Sequence, residues 1–158
     1  MHGTGSQSNA LDDYWTRAFV DSVRLGLPDT SKYVVINCDF SQYMWTSGAA
    51  GCLAGQLTTF IAQKGITDLV VITHSNGGNV MRWILSNPTW DSRYPGIIAK
   101  IRWVNALAPS SKGTPLADAG YAETFECVGH RAPSRVAGGE PGPIPEIVVD
   151  VDHIELRG

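Results

Sequence analysis

The 158-residue sequence has no apolar run near the roughly 20 residues that a membrane-spanning helix needs, so no span is expected. Charge is sparse as well. Charged residues make up 17% of the chain and the formal net charge is −3, so nothing here would draw a polyanion. The lysines and arginines are scattered, with no basic stripe and no zinc-finger spacing, which argues against a nucleic-acid partner. No metal site or cofactor motif stands out, and no internal repeat of useful length occurs. No signal peptide is visible, because Met1 is followed at once by His2 and Gly3. That leaves a secreted and a cytoplasmic location both open. Cysteine is scarce: Cys38, Cys52 and Cys127 are an odd number, so at least one thiol is unpaired within the chain. Cys38 and Cys52 flank a loop and would pair in an exported protein. Three small buried thiols is the other reading.

What is present fits one domain over residues 1–158, with 43% hydrophobic residues and enough length to bury a core. From Leu11 to about Leu25 the apolar spacing suits an amphipathic helix, closed by Gly26 and Pro28. Tyr33 to Asn37 is rich in β-branched residues and reads as a strand. Ala49 to Gln63 reads as a helix ended by Gly65, with Leu53, Leu57, Phe60 and Ile61 on one face. Asp68 to Thr73 is a short apolar run suited to a strand buried on both faces. Asn79 to Ser86 reads as a helix, and Ile97 to Ala106 contains a strand centred on Ile101–Val104. Strands alternating with helices predict a mostly parallel sheet between helical layers. After Gly120 the composition shifts. Arg131 to Pro145 holds four prolines and reads as a long loop, and Ile147 to Val151 as a last strand leading into Asp152 and His153.

The chemistry concentrates at Val70-Val71-Ile72-Thr73-His74-Ser75-Asn76-Gly77-Gly78. A strand runs into Ser75 and a helix begins just past it, the setting of a nucleophile elbow. Gly77 supplies the small residue that lets strand and helix approach. Thr73 stands where a small residue is expected, so the motif is T-x-S-x-G. The competing reading is a serine that merely caps a helix. As an elbow, Ser75 is the nucleophile, and the backbone N–H of Asn76 faces the oxyanion at the positive end of the helix dipole. His2-Gly3-Thr4-Gly5-Ser6 lies upstream, in the order of an oxyanion loop, and assigns the second donor to the N–H of Thr4. His153 is preferred as the base over His130. His2 belongs to the loop, and His74 is expected to point away from Ser75. For the acid, Asp118 looks like a helix start, and Asp150 and Asp152 are too near His153 in sequence. Glu140 is the choice. Tyr43 and Trp45 would suit an apolar acyl or aryl group near the mouth, or else be ordinary packing residues.

The segments T-H-S-N-G-G-N-V-M-R-W, A-P-S-S-K-G-T-P-L-A-D from Ala108 to Asp118, and the final strand with D-H-I-E-L resemble the bacterial lipase and carboxylesterase branch of the α/β-hydrolases. The resemblance runs from about His2 to Asp118, and residues 119–158 diverge from it. It implies a minimal three-layer α/β/α fold and cofactor-free hydrolysis of small-molecule carboxylic esters through an acyl-enzyme. It carries the nucleophile to Ser75, the oxyanion donors to Asn76 and Thr4, and the histidine to His153. The chain length leaves little room for a lid, so short to medium acyl chains are expected. A catalytically degenerate hydrolase-like module, or an acyltransferase or thioesterase on the same serine, are the alternatives. A shortened sheet leaves a bare edge strand, and a homodimer through it is a further expectation.

Overall fold

The computed structural model describes residues 1–110. Four segments fill the space before the first strand. Helix α1 spans Ala10–Asp13 and α2 spans Arg17–Leu25. The single helix expected from Leu11 to Leu25 is thus broken. Thr16 stops it: its hydroxyl accepts from the backbone N–H of Phe19 at 3.2 Å and caps α2, while Trp15 N–H turns back to the carbonyl of Ala10 at 2.9 Å. A π-helical turn, Ser47–Gly51, then feeds α3, Cys52–Lys64. Leu53, Leu57 and Phe60 recur at helical spacing and are buried. Gly65 closes α3 at φ 59°, a left-handed conformation that glycine adopts without Cβ strain.

Strand β1, Leu69–His74, pairs in parallel with β2, Ile101–Leu107. Helices α4, Asn76–Ser86, and α5, Tyr94–Ile98, lie between them in the chain and make the crossover. Val71 stands opposite Val104, Ile72 opposite Asn105 and Thr73 opposite Ala106, with one irregularity after Leu69. Leu69, Val71 and Thr73 of β1 are buried, along with Val80, Met81 and Ile84 of α4, Leu53, Ala54 and Leu57 of α3, and Phe40 between them. At about 25 cal/mol per Å² of apolar surface removed from water, this cluster is the main stabilising term of the described residues.

Three expectations need correcting. Tyr33 to Asn37 joins no ladder among the described residues. At Asn37 a side chain takes the backbone hydrogen bonds instead: Gln56 accepts from Asn37 N–H at 3.1 Å and donates to the Asn37 carbonyl at 2.5 Å. β1 is buried on one face only, since Val70, on the other, is 52% exposed. Helix α4 begins at Asn76, three residues before the expected Asn79, because the turn at Ser75 starts it directly and glycines at 77 and 78 are needed for close packing. The loop at 131–145, the strand at 147–151 and the divergent stretch 119–158 lie outside the described residues.

Candidate active site

Ser75 links β1 to α4 with φ 50° and ψ −126°. Ala108 is the other non-glycine residue with positive φ among the described residues. Such a conformation costs a β-carbon-bearing residue about 1–3 kcal/mol and persists only where the surroundings enforce it. Here they do. Ser75 N–H donates to the Leu107 carbonyl at 3.0 Å, continuing the ladder, and the Ser75 carbonyl accepts from Gly78 N–H at 3.0 Å, opening the helix. The Ser75 side chain makes no capping hydrogen bond. An ordinary capping serine has an extended backbone and spends its hydroxyl on the helix. Ser75 does neither.

The turn is tight because the neighbours permit it. A Cβ on Gly77 would collide with the His2 carbonyl oxygen, so a glycine two residues past the serine is required by the N-terminal segment packed against it. That segment lies along β1. The Met1 amine donates to the Ile72 carbonyl at 2.7 Å, and His74 N–H donates to the Met1 carbonyl at 3.1 Å. Burial drives the Met1 amine from 8.0 down to about 5.

His2 is fully buried and stacks on Phe40, with ring centroids 4.4 Å apart. Its Nδ1 bonds the Gly3 carbonyl at 2.8 Å and its Nε2 accepts from Cys38 N–H at 3.4 Å. One nitrogen must donate and the other accept, which requires the neutral Nδ1–H tautomer. Burial accordingly lowers its pKa. Phe40 connects both halves of the site. Its N–H donates to the Gly5 carbonyl at 2.9 Å, and its carbonyl accepts from Asn76 Nδ2 at 2.7 Å. A disulfide between Cys38 and Cys52 ties this segment to the start of α3, with Cα atoms 5.9 Å apart. The pairing reading of those two cysteines therefore holds over the free-thiol one.

Thr4 is exposed and its backbone N–H makes no hydrogen bond among the described residues, while Asn76 is the first residue of α4, a position whose N–H has no intrahelical partner. Gly3 brings the loop onto the elbow: a Cβ there would stand 3.0 Å from Ser75 Cβ. Ser75, Asn76 and the His2–Thr4 loop are thus assembled in one place. His153, His130 and Glu140 lie outside the described residues. Among the described residues no group of three His, Cys, Asp or Glu side chains forms a metal cluster, and no helix is long and apolar enough to cross a membrane.

Tyr43 and Trp45 stack on each other at 4.9 Å and continue to Trp83 and Trp90, forming an aromatic row along α4. A cavity of about 360 Å³ lined by Val70, Ile72, Arg102, Trp103 and Asn105 lies on the open sheet face and does not include Ser75. The residues that sequence reading missed are Tyr14, whose hydroxyl bonds His74 Nδ1 at 2.5 Å, and Gly78, which accommodates Thr73. The second glycine of the N-G-G run was the only available signal for the latter. Comparison with protein-family models, curated proteins and solved structures found no match.

Proposed function

We propose that this chain is a serine hydrolase of carboxylic esters and that Ser75 is its nucleophile. The observation that carries the reading is the strained backbone of Ser75 at a strand-to-helix turn, with its hydroxyl unspent on the helix. Strain of this kind serves to present a side chain, and an idle capping serine has no use for it. The paired strands and their crossover helices are read as part of a three-layer α/β/α sheet.

In the first half-reaction the Ser75 oxygen attacks the ester carbonyl carbon while a histidine takes its proton, the role assigned to His153 with Glu140 as its carboxylate partner. The N–H groups of Asn76 and Thr4 receive the developing oxyanion. The tetrahedral carbon expels the alcohol, which leaves with the proton, and the acyl group remains on Ser75. Water then attacks, the same proton shuttle runs again, and the acid is released. No cofactor enters this scheme. Short to medium acyl chains are the proposed substrates. A homodimer through an edge strand of the sheet is the proposed oligomer, and a monomeric mass in sedimentation would remove it.

The test is hydrolysis of p-nitrophenyl butyrate by the purified protein beside Ser75→Ala. Turnover that disappears in the variant supports the serine esterase. Absent turnover, or turnover that the variant retains, sinks it and leaves a degenerate hydrolase-like module. Release of acyl product onto an added alcohol or thiol would instead make the same serine an acyltransferase.

A further inference from the structure

The break between α1 and α2 leaves Tyr14 at a corner, where it packs against the His2 ring at 5.6 Å and the Trp15 ring at 5.3 Å. Its hydroxyl bonds His74 Nδ1 at 2.5 Å. The same hydroxyl converges on the elbow. A Cβ placed on Gly3 would stand 2.5 Å from the Tyr14 oxygen, 3.0 Å from Ser75 Cβ and 3.3 Å from His74 Nδ1. The phenol and the serine therefore both border the space that a methyl group on Gly3 would fill. This explains why the loop residue is glycine, and it puts a neutral O–H beside the nucleophile.

We propose that Tyr14 is a third donor to the oxyanion and that His74 is its positioning residue. The inference rests on Ser75 being the nucleophile. A histidine in its Nδ1–H form donates to the phenol oxygen, which frees the phenol hydrogen to point at the reacting carbonyl. With the opposite tautomer the phenol would spend its hydrogen on Nδ1 and offer only a lone pair to an anion. The developing negative charge selects the first arrangement. The hydrogen bond polarises the phenol and strengthens its donation. The shape of the donor set changes accordingly: two backbone N–H groups, from Thr4 and Asn76, with a side-chain hydroxyl beside them. His74, expected from sequence to point away from the chemistry, turns its ring toward the Tyr14 hydroxyl that does it.

The experiment compares the parent chain with Tyr14→Phe, His74→Leu and His74→Asn. Each protein is first titrated with a p-nitrophenyl alkylphosphonate, which counts reactive Ser75, and then assayed on p-nitrophenyl butyrate. Binding of an alkylboronic acid, which forms a tetrahedral adduct on a serine, is measured in parallel. Tyr14→Phe is expected to lower kcat about 100-fold with KM nearly unchanged, and to weaken boronic acid binding, the pattern of a lost transition-state donor. His74→Leu should fall similarly. His74→Asn should recover most of the rate, because its Nδ2 stands where Nδ1 stood and still donates. Unchanged kcat in Tyr14→Phe overturns the proposal. So does an equal loss in His74→Asn and His74→Leu, which would assign the pair to packing. If the parent chain neither reacts with the phosphonate nor turns over, the Ser75 reading falls and takes this one with it. A reactive parent with an indifferent Tyr14→Phe removes the tyrosine alone.

Discussion

The hydroxyl of Thr73 lies against Gly78, 3.2 Å from the place where a Cβ on that glycine would project. Thr73 is fully buried and its Oγ1 has no hydrogen-bond partner among the described residues. The threonine that departs from the usual small residue two before a nucleophile is thus accommodated by a glycine three after it. The volume missing from one side of the turn is taken up from the other.

This pairing predicts strong coupling. Gly78→Ala alone sets a methyl 3.2 Å from the Thr73 hydroxyl, so that the buried threonine must give by a few tenths of an ångström, at a cost of about 1–3 kcal/mol. Thr73→Ala removes the obstructing atom together with an unsatisfied buried hydroxyl, and is expected to be close to neutral by itself. The double variant should regain most of the loss, with a coupling energy of about 1 kcal/mol or more in a double-mutant cycle read by urea denaturation. Additive single effects would contradict the contact.

The disulfide between Cys38 and Cys52 closes a loop of sequence separation 14, for which chain entropy gives about 3 kcal/mol. Because Phe40 lies two residues beyond Cys38 and anchors Asn76, the loss should also be felt at Asn76, the proposed oxyanion donor. The double variant Cys38→Ser with Cys52→Ser is expected to unfold at clearly lower urea and to show reduced kcat. Equal stability of parent and variant under non-reducing conditions would count against the bridge.

The parts of this molecule legible in the sequence were those fixed by local chemistry. Gly65 ends α3 because only a left-handed residue fits there, and the apolar run before Ser75 marks β1. What stayed hidden depends on residues far apart in the chain. The break at Tyr14 to Thr16 is invisible to apolar periodicity, which runs on through it, and depends on a capping hydroxyl. Tyr33 to Asn37 carries the β-branched residues of a strand, yet at its end the Gln56 side chain, not a neighbouring strand, bonds the backbone of Asn37. In the site, Ser75, Asn76 and the His2–Thr4 loop were readable from motif and order. Tyr14 was not, since no spacing links it to His74, 60 residues away.

His2 makes stability depend on pH in a defined direction. Burial lowers its pKa, and the nearby Met1 amine adds to this, while its bond to the Gly3 carbonyl and the charge of Asp39 partly oppose the shift. A base with a depressed folded pKa is protonated first in the unfolded chain. Its contribution is therefore full above about 6.5, the value of a free imidazole, and is lost as pH falls below it. The Met1 amine, at about 5, moves stability in the same direction over a higher window. Comparing denaturation midpoints of the parent and His2→Asn between pH 7.5 and 5 isolates the imidazole. The parent should lose more stability on acidification than the variant, and parallel curves would contradict a neutral buried His2.

The backbone of Ser75 sets stability against activity. At φ 50° and ψ −126° a glycine is unstrained, whereas serine and alanine both carry the Cβ penalty. Ser75→Gly should therefore unfold at higher denaturant than Ser75→Ala, by about 1–2 kcal/mol, although both lack the hydroxyl. Both should lose ester hydrolysis alike. Ser75→Gly should also be more stable than the parent, a gain that a residue serving only the fold would have no reason to forgo. The comparison separates two causes that a single knockout confounds, because Ser75→Ala removes the oxygen and leaves the strain. If the glycine variant proves no more stable than the alanine variant, the turn is not strained, and the strongest structural argument for Ser75 as nucleophile is lost. If it is more stable and inactive, the chain holds its serine in that turn at a cost to its own folding, and presentation of the hydroxyl is the return.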